Sequence, residues 1–195
     1  MLDTYGRKYV DPLIEKVAVF FIKLKFTANT ITKIAFFTGI FSGVLAYFQK
    51  ELLAVAVLWL SGLLDAVDGQ VARCQKNTTA WGTLMDITFD RIVELSVIIG
   101  LGLRFPDSRI YLLFLSSTII ISMTIFLTVG ALSEKKGMKS FYYQAGVMER
   151  TEGFILFSFM IVFNQWLNII TLIYAALVLF TAVQRLCEAK ELLDK

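Results

Sequence analysis

Four aspartates, Asp65, Asp68, Asp86 and Asp90, sit in or beside stretches apolar enough to enter a membrane. An ionised carboxylate there costs roughly 2.5–3.5 kcal/mol on insertion scales, so such residues are functional candidates by default. Asp65 and Asp68 are three residues apart and Asp86 and Asp90 four apart, which places each pair on one helix face. As consecutive antiparallel spans, the two stretches meet at the same membrane side, and the four carboxylates converge. Packed together in a poorly hydrated site they repel one another unless a cation neutralises them. Oxygen-only ligands favour Mg²⁺, Mn²⁺ or Ca²⁺. Two divalent ions balance the four charges, and such a pair forms a clamp for a phosphoryl group in an in-line displacement. Structural pairing with Arg73 and Arg91 explains less, because four acids at these spacings exceed what two arginines require.

The intervening residues suit a phosphate ligand. Gly69, Ala72 and Gly82 leave room for close approach to the backbone. Arg73 offers a planar fork of donors, and Thr79 a hydroxyl. Gly39 and Gly43, by contrast, read as helix packing.

The elements that must position these groups are helices. Hydrophobic residues make up 57% of the 195-residue chain and charged ones 18%, below the quarter usual for a soluble domain. There is no histidine, which removes Ser-His-Asp catalysis and His-ligated metals, and Cys74 and Cys187 are too few for a zinc site or a disulfide framework. A net charge of +3 gives no support to nucleic-acid binding. The pattern predicts an all-α polytopic membrane protein of one domain, residues 1–195, with a six-helix bundle over 31–186. The spans are Ile31–Phe48, Leu52–Val67, Trp81–Leu103, Tyr111–Leu132, Gly153–Phe163 running on towards Trp166, and Leu167–Val183. Residues 1–26 carry too many charges to cross; Tyr9, Leu13, Val17 and Phe20 or Phe21 recur at helical spacing and predict an amphipathic helix in the interface. With the N-terminus cytoplasmic, 14 Lys and Arg residues fall on that side and 3 outside. This places both termini, and the aspartates, on the cytoplasmic side of the cell membrane.

Asp65-x-x-Asp68-Gly69-x-x-Ala72-Arg73, eight residues, then Gly82-x-x-x-Asp86-x-x-x-Asp90 resembles the full signature of the CDP-alcohol phosphotransferase (CDP-alcohol phosphatidyltransferase) family. Every fixed position matches. The family's usual Thr-Pro-Asn before the first span is here Thr27-Ala28-Asn29, so the proline turn is missing. The resemblance implies release of CMP from a CDP-linked donor by an alcohol. It makes Asp65, Asp68, Asp86 and Asp90 the ligands of two divalent ions, Mg²⁺ or Mn²⁺, and Asp90 also the general base. Asn29, Thr32, Gly69, Ala72, Arg73, Thr79 and Gly82 would contact the donor nucleotide. It also implies a homodimer.

A site at the membrane face suits a lipid donor, CDP-diacylglycerol or an ether-lipid equivalent, with a small polar alcohol as acceptor. In layout the chain resembles the phosphatidylinositol-phosphate and archaetidylinositol-phosphate synthase-like branch, in which arginines at the fifth and sixth spans grip an acceptor phosphate. Arg150 and Arg185 stand at those places, and Lys135 or Lys136 would supply a further basic group. Serine, glycerol phosphate and inositol phosphate remain open as acceptors. Two other readings compete: a membrane prenyltransferase with Asp-rich diphosphate binding, and a non-enzymatic cation carrier, which leaves Gly69, Ala72, Arg73 and Gly82 unexplained.

Overall fold

In a computed structural model, which describes residues 2–132 and 146–193, every regular element is helical. The order is α1 (Leu2–Lys23), α2 (Ala28–Tyr47), α3 (Glu51–Cys74), α4 (Ala80–Arg104), a 3-10 turn (Pro106–Ser108) and α5 (Arg109–Leu132). Then come α6 (Arg150–Val162), a second 3-10 turn (Asn164–Trp166) and α7 (Leu167–Leu193). Contacts group the chain into two compact units, a first of Tyr5–Pro106 and a second of Asp107–Lys195 together with Met1–Thr4.

Among the described residues, four helical segments are long and apolar enough to cross a membrane: Ala28–Tyr47, Glu51–Cys74, Pro106–Leu132 and Asn164–Leu193. The sequence predicts six. The two differences have physical causes. Helix α4 has the length, at 25 residues, but carries Asp86, Asp90, Arg91 and Glu94. Helix α6 is apolar but has only 13 residues.

In the first unit, α2 packs against both α3 and α4. Hydroxyls join it to α3: Ser42 Oγ donates to the Ala54 carbonyl at 2.9 Å, and Ser61 Oγ to the Ala35 carbonyl at 2.7 Å. Glycines let it approach α4. A Cβ on Gly43 would collide with the Ser96 backbone, and one on Gly100 with the Gly43 carbonyl. The Gly39/Gly43 pair is therefore a packing device within the chain. Phe36 of α2 stacks on Phe89 of α4 with centroids 4.1 Å apart.

Helix α1 docks on the same unit. Its buried Ala18 joins Ile31, Val67 and Val71, with Ile14, Val17, Phe21 and Ile22 packed around them. Leu13, Phe20 and Leu24 are exposed, whereas Phe21 is turned into this cluster. A 100°-wide stripe covers only part of a helix, and α1 has apolar residues beyond it.

In the second unit α7 packs against α5 and α6. Phe157 meets Tyr174 edge-on at 5.1 Å. Helix α7 runs ten residues past the apolar segment that ends at Val183.

Candidate active site

The start of α2, the end of α3 and the start of α4 converge at one end of the first unit. Local sequence signals fix these ends. Thr27 is the N-cap of α2, its hydroxyl accepting from the Thr30 backbone N–H at 3.3 Å. Ala28 then takes the first helical position, where proline is tolerated but not required, so the cap holds the turn that the missing proline would have made. Helix α3 ends in a Schellman turn. Lys76 adopts φ 51°, its N–H bonds the Arg73 carbonyl at 3.1 Å, and the Asn77 N–H bonds the Ala72 carbonyl at 3.0 Å. The reversed chain reaches Thr79, the N-cap of α4, whose hydroxyl accepts from the Gly82 N–H at 3.0 Å.

This geometry gathers the acids. Carboxylate oxygens of Asp65, Asp68 and Asp86 all lie within 4.8 Å of one another. Asp90, one turn beyond Asp86, lies in the electrostatic field of Asp86, Asp68, Arg91 and Glu94. Asp68 is buried, with the Thr32 hydroxyl and the Gly69 N–H beside its carboxylate. The Thr32 hydroxyl donates to the Ala28 carbonyl of its own helix at 3.0 Å. One Asp68 oxygen, Oδ2, is buried with no hydrogen-bond partner among the described residues. Such an atom is costly unless a cation or donor meets it. Three carboxylates within the span of one ion, all-oxygen ligands and an orphaned buried oxygen fit a hard divalent cation.

The small residues open the space beside the acids. Where Gly69 would carry a Cβ, Arg73 Nη1 lies 3.3 Å away. Arg73 is exposed and is steadied by Gln70 Oε1, which accepts from its Nη2 at 2.8 Å and its Nε at 3.2 Å. A Cβ on Gly82 would sit 3.2 Å from Thr79 Oγ1 and 3.5 Å from Asn29 Oδ1, so α2 and α4 present Asn29, Thr79 and a bare backbone together. Ala72 is half-buried beside them in sequence, and its carbonyl closes the Schellman turn.

The acceptor candidates lie in the second unit. Arg185 is buried on α7; its Nη1 donates to Ser122 Oγ at 3.4 Å and its guanidinium lies 4.8 Å from the Phe126 ring centroid. Arg150 opens α6, 5.5 Å from the Phe154 ring. Buried Glu149 accepts from the Gly146 N–H at 3.4 Å, and Thr181 Oγ1 from the Met148 N–H at 2.9 Å. Lys135 and Lys136 lie outside the described residues. Sequence reasoning misses Thr32 as a partner of Asp68 and the Phe36–Phe89 stack. The first is signalled only weakly, by a hydroxyl one turn into α2, and the second has no local signal.

Residues 25–183 match the CDP-alcohol phosphatidyltransferase family. The chain is 30% identical to the inner membrane protein YnjF of Escherichia coli, over 95% of this chain and 93% of that one. It is 37% identical over 84 residues to the bifunctional IPC transferase and DIPP synthase of Aquifex aeolicus, a match spanning 43% of this chain and only 19% of that longer protein. The phosphatidylinositol phosphate synthase of Mycobacterium tuberculosis, crystallised with CDP-DAG bound, shares the fold. Its TM-score is 0.76 at 22% identity, covering 92% of this chain and 94% of that one. The same synthase has also been solved with manganese and citrate.

Proposed function

The chain belongs to the CDP-alcohol phosphatidyltransferase family and is a transferase of phospholipid biosynthesis; from that premise we propose that it moves a phosphatidyl group from CDP-diacylglycerol, or a similar CDP-linked lipid, to a small polar alcohol and releases CMP. The carrying observation is the convergence of Asp65, Asp68 and Asp86 within 4.8 Å, on the two helices that also present Gly69, Arg73 and Gly82. Neither a prenyltransferase nor a cation carrier accounts for that set.

Asp65, Asp68, Asp86 and Asp90 would hold two divalent cations, Mg²⁺ or Mn²⁺, which when bound neutralise charge on the donor's pyrophosphate. Arg73 supplies further positive charge, and Asn29, Thr79 and the bare backbones of Gly69 and Gly82 accept the nucleotide, with Ala72 keeping that wall low. Thr32 serves the same end through Asp68. The acceptor oxygen bonds to the phosphorus that carries the lipid, the bond from that phosphorus to the CMP oxygen breaks, and the hydroxyl proton passes to Asp90. In a chain without histidine, a carboxylate is the available base.

For the acceptor we favour a phosphorylated polyol such as inositol phosphate. A structural neighbour is named as a phosphatidylinositol phosphate synthase, and Arg185 is already held in place by Ser122 and Phe126. Arg150 and Lys135 would complete the grip on the phosphate.

The wider arrangement follows. Helices α4 and α6 would complete six spans, α4 carrying its charges at the site and α6 as a short crossing. Helix α1 would lie in the interface, with exposed Val10, Leu13, Phe20 and Leu24 towards lipid. The family match runs across both compact units, which supports one domain. The Lys/Arg bias favours a cytoplasmic site and cytoplasmic termini in the cell membrane, and the chain would work as a homodimer.

The test is a release assay. Purified protein with Mn²⁺ or Mg²⁺, CDP-diacylglycerol and a panel of alcohols should liberate CMP, fastest with inositol phosphate. No release with any acceptor would refute the proposal, and release with serine alone would refute the acceptor.

A further inference from the structure

Asp86, Asp90 and Glu94 follow one another at four-residue intervals, so three acids line one face of α4. Glu94 is buried, at 8% exposure, one turn past the last aspartate of the motif. Its Oε2 lies 2.6 Å from Nη1 of Arg91, whose side chain remains 30% exposed. Arg91 is adjacent in sequence to Asp90, and its charge acts on both Asp86 and Asp90. A guanidinium released from Glu94 at this point of the helix would compete with a divalent cation for the neighbouring carboxylates, because both satisfy negative oxygen. Glu94 offers it another partner.

We propose that Glu94 is a positioning residue that tethers the Arg91 guanidinium along α4, limiting its engagement with Asp86 and Asp90 and leaving their oxygens to divalent cations. The inference rests on the reading of the aspartates as metal ligands. It goes beyond that reading in giving the Arg91–Glu94 pair a part in setting metal affinity. Replacing a supporting residue around metal ligands typically costs roughly 10–100-fold in metal affinity or activity.

Direct Mn²⁺ titration of the purified full chain in detergent, followed by the electron paramagnetic resonance signal of free Mn²⁺, tests it without reference to turnover. Glu94→Gln should bind Mn²⁺ roughly tenfold more weakly than the parent. Arg91→Gln, which removes the competing cation, should bind at least as tightly as the parent. The double variant Arg91→Gln/Glu94→Gln should return to within about twofold of it. Parent-like affinity in Glu94→Gln overturns the inference. So does an equal loss in both single variants, which is what simple disruption of a buried ion pair produces. If the parent itself takes up no Mn²⁺, the metal reading fails and the inference with it; if the parent binds and the variants do not separate, only the inference fails.

Discussion

Arg104 at the end of α4 grips Glu51 at the start of α3, Nη2 to Oε1 at 2.7 Å, while its Nη1 donates to the Ala46 carbonyl near the end of α2 at 3.2 Å. One side chain thus ties together three helix ends, opposite the ends that build the acidic site. The guanidinium also satisfies a carbonyl at a helix C-terminus, where positive charge is favoured. Arg104→Gln should lower stability by about 1–3 kcal/mol, since it breaks a partly buried charged bond and leaves Glu51 behind. Thermal unfolding in detergent would show the drop, with CMP release per folded molecule unchanged.

Removing a carboxylate from the cluster acts on chemistry instead. Asp68→Asn should reduce metal-dependent CMP release by at least on the order of a hundredfold, and chelation of divalent ions should do the same to the parent. Thr32→Val removes only a hydroxyl from beside Asp68. Its cost should be nearer 1–2 kcal/mol, roughly tenfold, in the metal concentration that half-saturates turnover.

Asp90→Asn removes the base while leaving an amide oxygen that can still meet a cation. The turnover rate should fall by roughly 10²–10⁴-fold while CDP still binds, measured by calorimetry with Mn²⁺ present. Full retained turnover would remove Asp90 from the role of base.

Two glycines on the same pair of helices should fail in different ways. Gly43→Ala drives a methyl group into the Ser96 backbone and should cost about 1–3 kcal/mol of stability or prevent folding. Gly82→Ala meets only Thr79 Oγ1 and Asn29 Oδ1, at 3.2 and 3.5 Å, so the fold should survive while KM for the CDP-linked donor rises. Unfolding curves and donor titrations on both variants would separate the two effects.

Lys76 takes φ 51° in the turn between the two halves of the aspartate motif. A left-handed backbone suits glycine, so Lys76→Gly should raise stability by up to about 1 kcal/mol. A fall in unfolding temperature would show that the lysine side chain stabilises the turn by more than its strain costs.

The aspartate pairs are legible in the sequence because helical spacing alone places each pair on a face, and burial of acids in apolar stretches singles them out. Apolar runs also locate the helices. They mark where a bilayer would lie rather than where helices stop, which is why α3 runs past Val67 to Cys74 and α7 past Val183 to Leu193. The bonds that assemble the site are a different matter. Arg104 and Glu51 are 53 residues apart, and Phe36 and Phe89 share no periodic pattern; such pairs emerge only from packing. Thr32 illustrates the middle case. Its type suggests a polar contact, but only the approach of α2 to α3 assigns that contact to Asp68.

Helix α6 has 13 residues, a rise of about 20 Å, against the roughly 30 Å hydrocarbon thickness of an ordinary bilayer. In the six-span arrangement proposed above this is a hydrophobic mismatch, relieved by thinning the lipid around the helix and by flanking side chains that reach for the headgroups. Acyl-chain length therefore becomes a control variable: vesicles of shorter-chain lipids reduce the deformation at α6, whereas longer chains increase it.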